Sequence, residues 1–302
     1  MNILSQLEGL KFPDEMVTRF FFKNGFHNKT GRVLELGCGN ANNLSLFAAY
    51  GWECIGLDMA THLITQGKRN FELQGYPPAR LEVKDMNDPL PDFGTIDVLL
   101  MPGSIYYIHF LRAREVIQQF GPSIRAGGYV FCRFRTPEDY RFGKGTNLGC
   151  NSFRLNLKET SEYNCINAFY DVQSMLNLLE PCSIDLNKIS VMKLFFDNLG
   201  LEGKMIGNKE MVLWGQTNIL FSNNIYLCGM TYYIMSDGSI KQATEVVAKE
   251  LIKRGARELK LQPIPIEINY ETRGSNGAIE VPKSRGGNRP RSSKRKVPRK
   301  LD

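Results

Sequence analysis

The segment Val33-Leu-Glu-Leu-Gly-Cys-Gly-Asn-Ala-Asn42 constrains this chain more than any other. A short apolar strand, Val33–Leu36, runs into Gly37-x-Gly39, and a helical pattern over Asn43–Tyr50 follows at once. Glycines at that junction let the backbone turn sharply and approach a ligand at the carboxyl edge of a sheet. Such a unit needs parallel neighbours, and the chain supplies them. Glu53–Leu57, Arg80–Val83, Ile96–Met101 and Tyr129–Phe134 read as strands. Leu63–Leu73 and Ala113–Phe120 read as intervening helices, and Pro13, Asp14 and Glu15 open a further helix ahead of the first strand. Strands alternating with helices predict βαβ units and a buried, mostly parallel sheet.

Beyond Arg135 the pattern is irregular for roughly thirty residues, a length that marks a functional loop. Regularity resumes with a helix near Asp171–Leu179 and two strands, Lys188–Asp197 and Glu210–Trp214, spaced to form an antiparallel pair at the sheet edge. The expected fold is therefore α/β, a Rossmann-like sheet flanked by helices over residues 1–216. Residues 217–272 read as a small α/β appendage, with a strand over Ile225–Ile234 and, because of Pro263 and Pro265, at best an edge strand over Leu259–Ile268. Between them Ser239 and Gln242 form a capping box for a helix ending at Gly255. Residues 273–302 are rich in Gly, Ser, Pro, Lys and Arg and read as a disordered basic tail.

A Gly-x-Gly turn also serves dinucleotides, but that site wants Gly or Ala where Asn42 stands. The acids point elsewhere. Glu35 precedes the first glycine by two residues, Asp58 ends the second strand and Asp85 follows the third. This arrangement resembles the class I, Rossmann-like S-adenosylmethionine-dependent methyltransferases, most of all bacterial small-molecule and saccharide methyltransferases. The resemblance spans residues 12–216, with Ala41 in place of the family's third glycine. It implies that Gly37 and Gly39 line the methionine part of S-adenosylmethionine and that Asp58 holds the ribose. Asp85 and Met86 would frame the adenine, and Glu35 would set the loop and its electrostatics. Met59 and Met101 stand beside these as further cofactor contacts. Met101-Pro-Gly-Ser104 takes the place of the family's fourth motif.

Methyl transfer from a sulfonium needs an aligned nucleophile, and a base only where the acceptor is protonated. The acceptor is expected beyond the fourth and fifth strands. His109 is the natural base by pKa, with Tyr106 and Tyr107 as rivals. Arg135, Asp139, Tyr140 and Arg141 are candidates for substrate binding, the arginines by gripping a phosphate or carboxylate.

The expected activity is transfer of a methyl group to an oxygen or nitrogen of a small-molecule or saccharide acceptor. The competing readings are an RNA or protein methyltransferase and a cofactor-binding subunit without catalysis. Charge bears on the first. Residues 281–302 carry nine basic residues against Asp302, which leaves residues 1–280 at −1 of the chain's +7. That tail suits non-specific contact with a polyanion such as nucleic acid. It has no interleaved aromatics for base stacking, however, and no Asn/Asp-Pro-Pro-Tyr/Phe motif follows the fourth strand. The seven scattered cysteines form no Cys-x-x-Cys pair and read as buried free thiols in a reducing, cytoplasmic setting, with no metal site. No apolar run reaches the length of a membrane span.

Overall fold

The computed structural model describes residues 2–218 throughout, and the strand segments 231–234, 240–243, 257–259 and 270–272. The first helix, α1 (Glu15–Lys23), is capped by Asp14, whose Oδ1 accepts the backbone N–H groups of Met16 and Val17. Met16, Val17, Phe20 and Phe21 give it one buried face, and Gly25 in the left-handed region turns the chain away after its end.

Strand β1 (Arg32–Leu36), α2 (Asn42–Ala48), β2 (Glu53–Asp58), α3 (Thr61–Leu73), β3 (Arg80–Val83), β4 (Ile96–Pro102), α4 (Phe110–Phe120) and β5 (Ile124–Arg135) follow in turn. Next come three short strands, β6 (Thr146–Gly149), β7 (Ser152–Arg154) and β8 (Ile166–Ala168). Helix α5 (Val172–Leu178) and the long hairpin β9 (Ile184–Leu199) and β10 (Met205–Thr217) complete the main body. Four further strands are β11 (Thr231–Ile234), β12 (Ile240–Ala243), β13 (Arg257–Leu259) and β14 (Tyr270–Thr272).

The main sheet has the order β14-β9-β10-β5-β4-β1-β2-β3. From β3 to β5 every pairing is parallel, so all these strands end at one edge. Strand β10 is antiparallel to both its neighbours, β5 and β9, which gives the expected antiparallel pair on that side of the sheet. The chain leaves β1 toward β2 on one side and reaches β4 on the other. That makes the β1 end a topological switch point, where open α/β sheets bind ligands.

Alternation along the strands builds two cores. Val33, Val98, Leu100 and Phe131 face α1, α2 and α3; Leu34, Leu36, Leu99 and Val130 face α4 and α5. Each fully buried side chain of this size stabilises the fold by about 1.5–3 kcal/mol relative to exposure.

Three expectations need correction. Strand β5 starts at Ile124, five residues early, because Gly127 takes a positive φ of 76° and the register shifts there against β4 without ending the strand. The stretch beyond Arg135 carries its own antiparallel sheet, β6-β7-β8. Its strands are three or four residues long and separated by left-handed Cys150 and Asn151, too short to show a period. The third concerns the capping box at Ser239. Residues Ile240–Ala243 form a strand paired with β11, so cross-strand pairing outweighs the local cap signal. The rest of that expected helix, residues 225–230 and 260–268, and the basic tail lie outside the described residues.

Candidate functional site

The glycine loop sits at the switch point. Gly37 donates its N–H to the carbonyl of Leu57 at 2.7 Å, and Cys38 does so to the same oxygen at 2.9 Å. Gly37 has φ 71°, and a Cβ there would collide with the Cβ of Ser104 from the β4 end, so both backbone and space demand glycine. Gly39 differs: its φ is 54°, but a Cβ would meet nothing within 4 Å. The loop is thus closed against β4 at Gly37 and open at Gly39. Ala41 also takes a left-handed φ of 60°, the conformation that a glycine would hold without strain.

Asp58, at the end of β2, fastens this loop. Its Oδ2 accepts the Gly39 N–H at 2.8 Å, and Oδ1 accepts that of Ala60 at 2.9 Å. Each carboxylate oxygen retains a lone pair for a further donor. Asp85 shapes the turn after β3: its Oδ1 accepts from the backbone and side-chain amides of Asn87. Arg112 of α4 donates to the carbonyls of Met86 and Asp88 and holds that turn in place. Met59 is exposed, whereas the Met101 side chain is sealed in the core beside α4. Alternation along β4 turns the Met101 side chain into the packed face that also holds Leu99.

Glu35 lies beneath the loop with no solvent exposure. One oxygen accepts from the Asn43 amide at 2.7 Å; the other, Oε2, has no partner. Burial pushes its carboxyl up to about 8, against the lowering effect of the Asn43 bond and with a contribution from Asp58 and Asp14.

A second set of residues escaped the sequence reading. Asn40 donates to the carbonyls of Glu8 and Leu10, Asn42 to that of Phe12, and Asn43 accepts the Asp14 N–H at 2.8 Å. Asn70 of α3 binds both the N–H and the carbonyl of Glu8. The chain's opening segment is therefore laced onto the glycine loop by side-chain amides. Its only sequence signal is the density of asparagine in Asn40-Ala-Asn-Asn43.

The edge where the acceptor was expected lies beyond β4, β5 and β10. Arg133 and Arg135, two apart on β5, point to one face. Arg133 pairs with Asp14 at 2.7 Å and with Glu210 of β10. Arg135 grips Glu162 with both terminal nitrogens, at 3.0 and 2.7 Å, bonds Asn167, and lies 4.5 Å under the Tyr106 ring. Arg141 pairs with Asp139 at 3.0 Å and also with Glu162. Tyr107 donates its hydroxyl to Glu162 at 2.6 Å, and Tyr140 donates to Glu159 at 2.8 Å.

Arg135, Asp139 and Arg141 thus come together, but the guanidinium groups meet protein carboxylates. Glu162 is their shared anchor, and nothing in its irregular surroundings marked it in the sequence. Burial works against its ionisation, yet the Arg135 guanidinium holds it below the usual carboxylate value. Burial raises the phenols of Tyr106 and Tyr107.

His109 caps α4: its Nδ1 accepts from Leu111 N–H, and its Nε2 bonds the carbonyl of Leu148, each at 3.2 Å. Both ring nitrogens are therefore engaged in local structure. Among the cysteines, Cys38, Cys54, Cys132 and Cys182 are buried free thiols as expected. Cys150 and Cys165 are exposed free thiols, because the irregular excursion that carries them forms a small surface sheet.

The parallel run of strands, the switch point at β1 and the glycine loop fastened by the β2 acid define the class I, Rossmann-like methyltransferase fold. Residues 33–128 match the family model described as a methyltransferase domain. In three dimensions the chain is similar to a S-adenosylmethionine-dependent methyltransferase from Methanosarcina mazei. That likeness has 15% identity and a TM-score of 0.51, and covers 66% of this chain and 97% of that one. It is also similar to the YcgJ protein from Bacillus subtilis, at 12% identity and a TM-score of 0.50, covering 68% and 99% of the two chains. At such identities the likeness is one of fold. No curated protein matches the chain in sequence.

Residues 33–128 thus match a methyltransferase domain, and the fold is shared with a S-adenosylmethionine-dependent methyltransferase. The loop has room at Gly39, and the unpartnered oxygen of Glu35 lies beneath it. Among the described residues, no helix is long and apolar enough to cross a membrane.

Proposed function

We propose that this protein moves a methyl group from S-adenosylmethionine to an oxygen or nitrogen of a small-molecule or saccharide acceptor. The observation that supports it most is the glycine loop, open at Gly39 and fastened by Asp58, next to a walled acceptor edge built by Tyr106, Tyr107, Arg135 and Glu162. When bound, S-adenosylmethionine supplies an electrophilic methyl on a good leaving group. The protein's share is then alignment and exclusion of water.

In this reading Gly37 and Gly39 carry the backbone past the methionine part, and Asp58 accepts from the ribose hydroxyls. Asp85 and Met86 take the adenine, with Met59 over the outer side. Tyr107 orients the acceptor: its proton is committed to Glu162, so its oxygen lone pairs face outward as acceptors. Arg135 and Arg141 act by fixing Glu162 and Asp139. Tyr140, tied to Glu159, borders the same edge. His109 is a poor base because its two ring nitrogens are engaged, and Tyr106 and Tyr107 are held protonated by burial, so alignment carries the transfer. The free thiols suit a reducing, cytoplasmic setting.

The basic tail is proposed to add salt-sensitive attachment to a polyanion without entering the chemistry. Methyl transfer from labelled donor into a metabolite extract, run beside total RNA, tests both points with full-length chain and a chain lacking residues 281–302. Equal labelling of a small metabolite by both chains supports this reading. Labelling of RNA alone, lost on truncation, would overturn it in favour of an RNA methyltransferase.

A further inference from the structure

At the edge beyond β5 and β10, two polar atoms are left over once every ion pair has been matched. Arg135 gives its terminal nitrogens to Glu162 and Asn167, while its buried Nε has no partner. Glu210 stands opposite Arg135 in the β5–β10 ladder and gives Oε2 to Arg133. Its Oε1 lies 3.9 Å from the Arg135 Nε, close enough to attract it and too far to hydrogen-bond. Both side chains are 5% exposed, where an unmade bond is costly. One further group, about 2.8 Å from each atom, would complete both bonds. The Tyr106 ring lies 4.5 Å from the Arg135 guanidinium on one side, and half-buried Arg133 and Asp14 adjoin Glu210 toward the surface.

Few chemical groups suit a donor and an acceptor so placed. A carboxylate or phosphate would set a second negative oxygen against Oε1, and an ammonium would set its N–H groups against Nε–H. A carbonyl satisfies Nε–H alone. A neutral amine could serve both atoms, but alkyl amines are largely protonated near neutral pH. A hydroxyl accepts from Nε–H and donates to Oε1 at the same time.

We propose that Arg135 Nε and Glu210 Oε1 seat the hydroxyl group of the acceptor, an alcohol or saccharide, and that Glu210 receives its proton. The proposal rests on the methyl-transfer reading above and narrows its oxygen or nitrogen to a hydroxyl oxygen. With its proton held by Oε1 and one lone pair held by Nε–H, the oxygen keeps a second lone pair for the methyl carbon. That pair forms the new C–O bond, the C–S bond breaks with its electrons going to sulfur, and the O–H proton passes to Glu210. The sulfonium becomes a neutral thioether, the carboxylate becomes a neutral acid, and solvent takes the proton once the products have left. No oxidant or reductant is needed.

The test gives the full chain methyl-labelled S-adenosylmethionine and a metabolite extract, removes unused donor, and assays the chemical form of the label. Alkali strips methyl esters, hot hydriodic acid then releases methyl ethers as methyl iodide, and N-methyl groups survive both. The expected form is the methyl ether. Label in ester or N-methyl form would overturn the hydroxyl seat and leave methyl transfer standing. No label in any form, from a chain that binds S-adenosylhomocysteine, would overturn the transfer reading itself. Glu210→Gln keeps the shape and an oxygen for Arg133 but cannot take the proton. Its kcat for the ether-forming acceptor should fall about a hundredfold with S-adenosylhomocysteine affinity unchanged, and Glu210→Asp should recover part of the loss. A fall of less than about tenfold in folded Glu210→Gln, or no recovery in Glu210→Asp, would overturn the role given to Glu210. If neither variant folds, the form of the label from the unaltered chain still decides whether a hydroxyl is the acceptor.

Discussion

Replacing Glu162 with alanine should be among the most damaging single changes on the acceptor side. Its carboxylate, 12% exposed, accepts from Tyr107, from two nitrogens of Arg135 and from Arg141. Truncation strands two guanidinium groups in a buried setting, and breaking a buried ion pair from one side costs about 3–5 kcal/mol. Some compensation remains. Arg135 keeps Asn167 and lies 3.9 Å from Glu210, and Arg141 keeps Asp139 and Asn208. The lower end of the range, about 3 kcal/mol, is therefore expected. Glu162→Gln preserves shape and an acceptor oxygen, and should lose about 1–2 kcal/mol.

Urea unfolding followed by circular dichroism reads this as a fall in midpoint at constant slope. Acid gives a second reading. The Glu162 carboxyl is lowered on folding, so its stabilisation is present above the ordinary value of 4.5 and is lost only as pH falls through the lower folded value. A loss below about 1 kcal/mol for Glu162→Ala would refute the argument that this residue anchors the excursion beyond β5.

Glu35 should act on stability with the opposite sign. Its carboxyl is raised from 4.5 to about 8 on folding, so the empty protein should lose stability as pH rises between those values, by a few kcal/mol in all. Thermal unfolding of Glu35→Gln at several pH values should show a flatter profile; an unchanged profile would assign the slope to other groups. His109→Asn keeps a helix-capping side chain and removes the bond to Leu148. Its turnover should fall less than tenfold, and a loss beyond a hundredfold in folded protein would restore His109 as the base. Gly37→Ala should abolish cofactor binding, since φ and the contact with Ser104 both exclude a Cβ, whereas Gly39→Ala should fold and only weaken it. Equal affinities in the two variants would contradict the assignment of the closed and open sides of the loop.

The strand–helix alternation and the acids at strand ends were legible because each rests on a local pattern. Glu35, Asp58 and Asp85 occupy positions that follow directly from where their strands stop. The acceptor side was legible in residue type and not in role. Arg135, Asp139 and Arg141 are brought together as their proximity in sequence suggests, but the two arginines share Glu162, 27 residues from Arg135. The lacing of Glu8–Asp14 onto Asn40, Asn42, Asn43 and Asn70 uses backbone carbonyls and amides, which leave no trace in side-chain patterning. The excursion's sheet has strands of three and four residues, shorter than any periodicity can register. Met101 shares the packed face of Leu99, two residues before it on β4, as strand alternation requires.

The central claim is that S-adenosylmethionine binds at the β1 switch point through Asp58, and calorimetry on Asp58→Ala tests it most directly. That carboxylate holds the Gly39 and Ala60 N–H groups and keeps lone pairs for the ribose. Losing a charged acceptor of this kind should weaken S-adenosylhomocysteine binding by about 1.5–3 kcal/mol, or about ten- to a hundredfold. Unchanged affinity in a variant that folds normally would place the cofactor elsewhere and contradict the account.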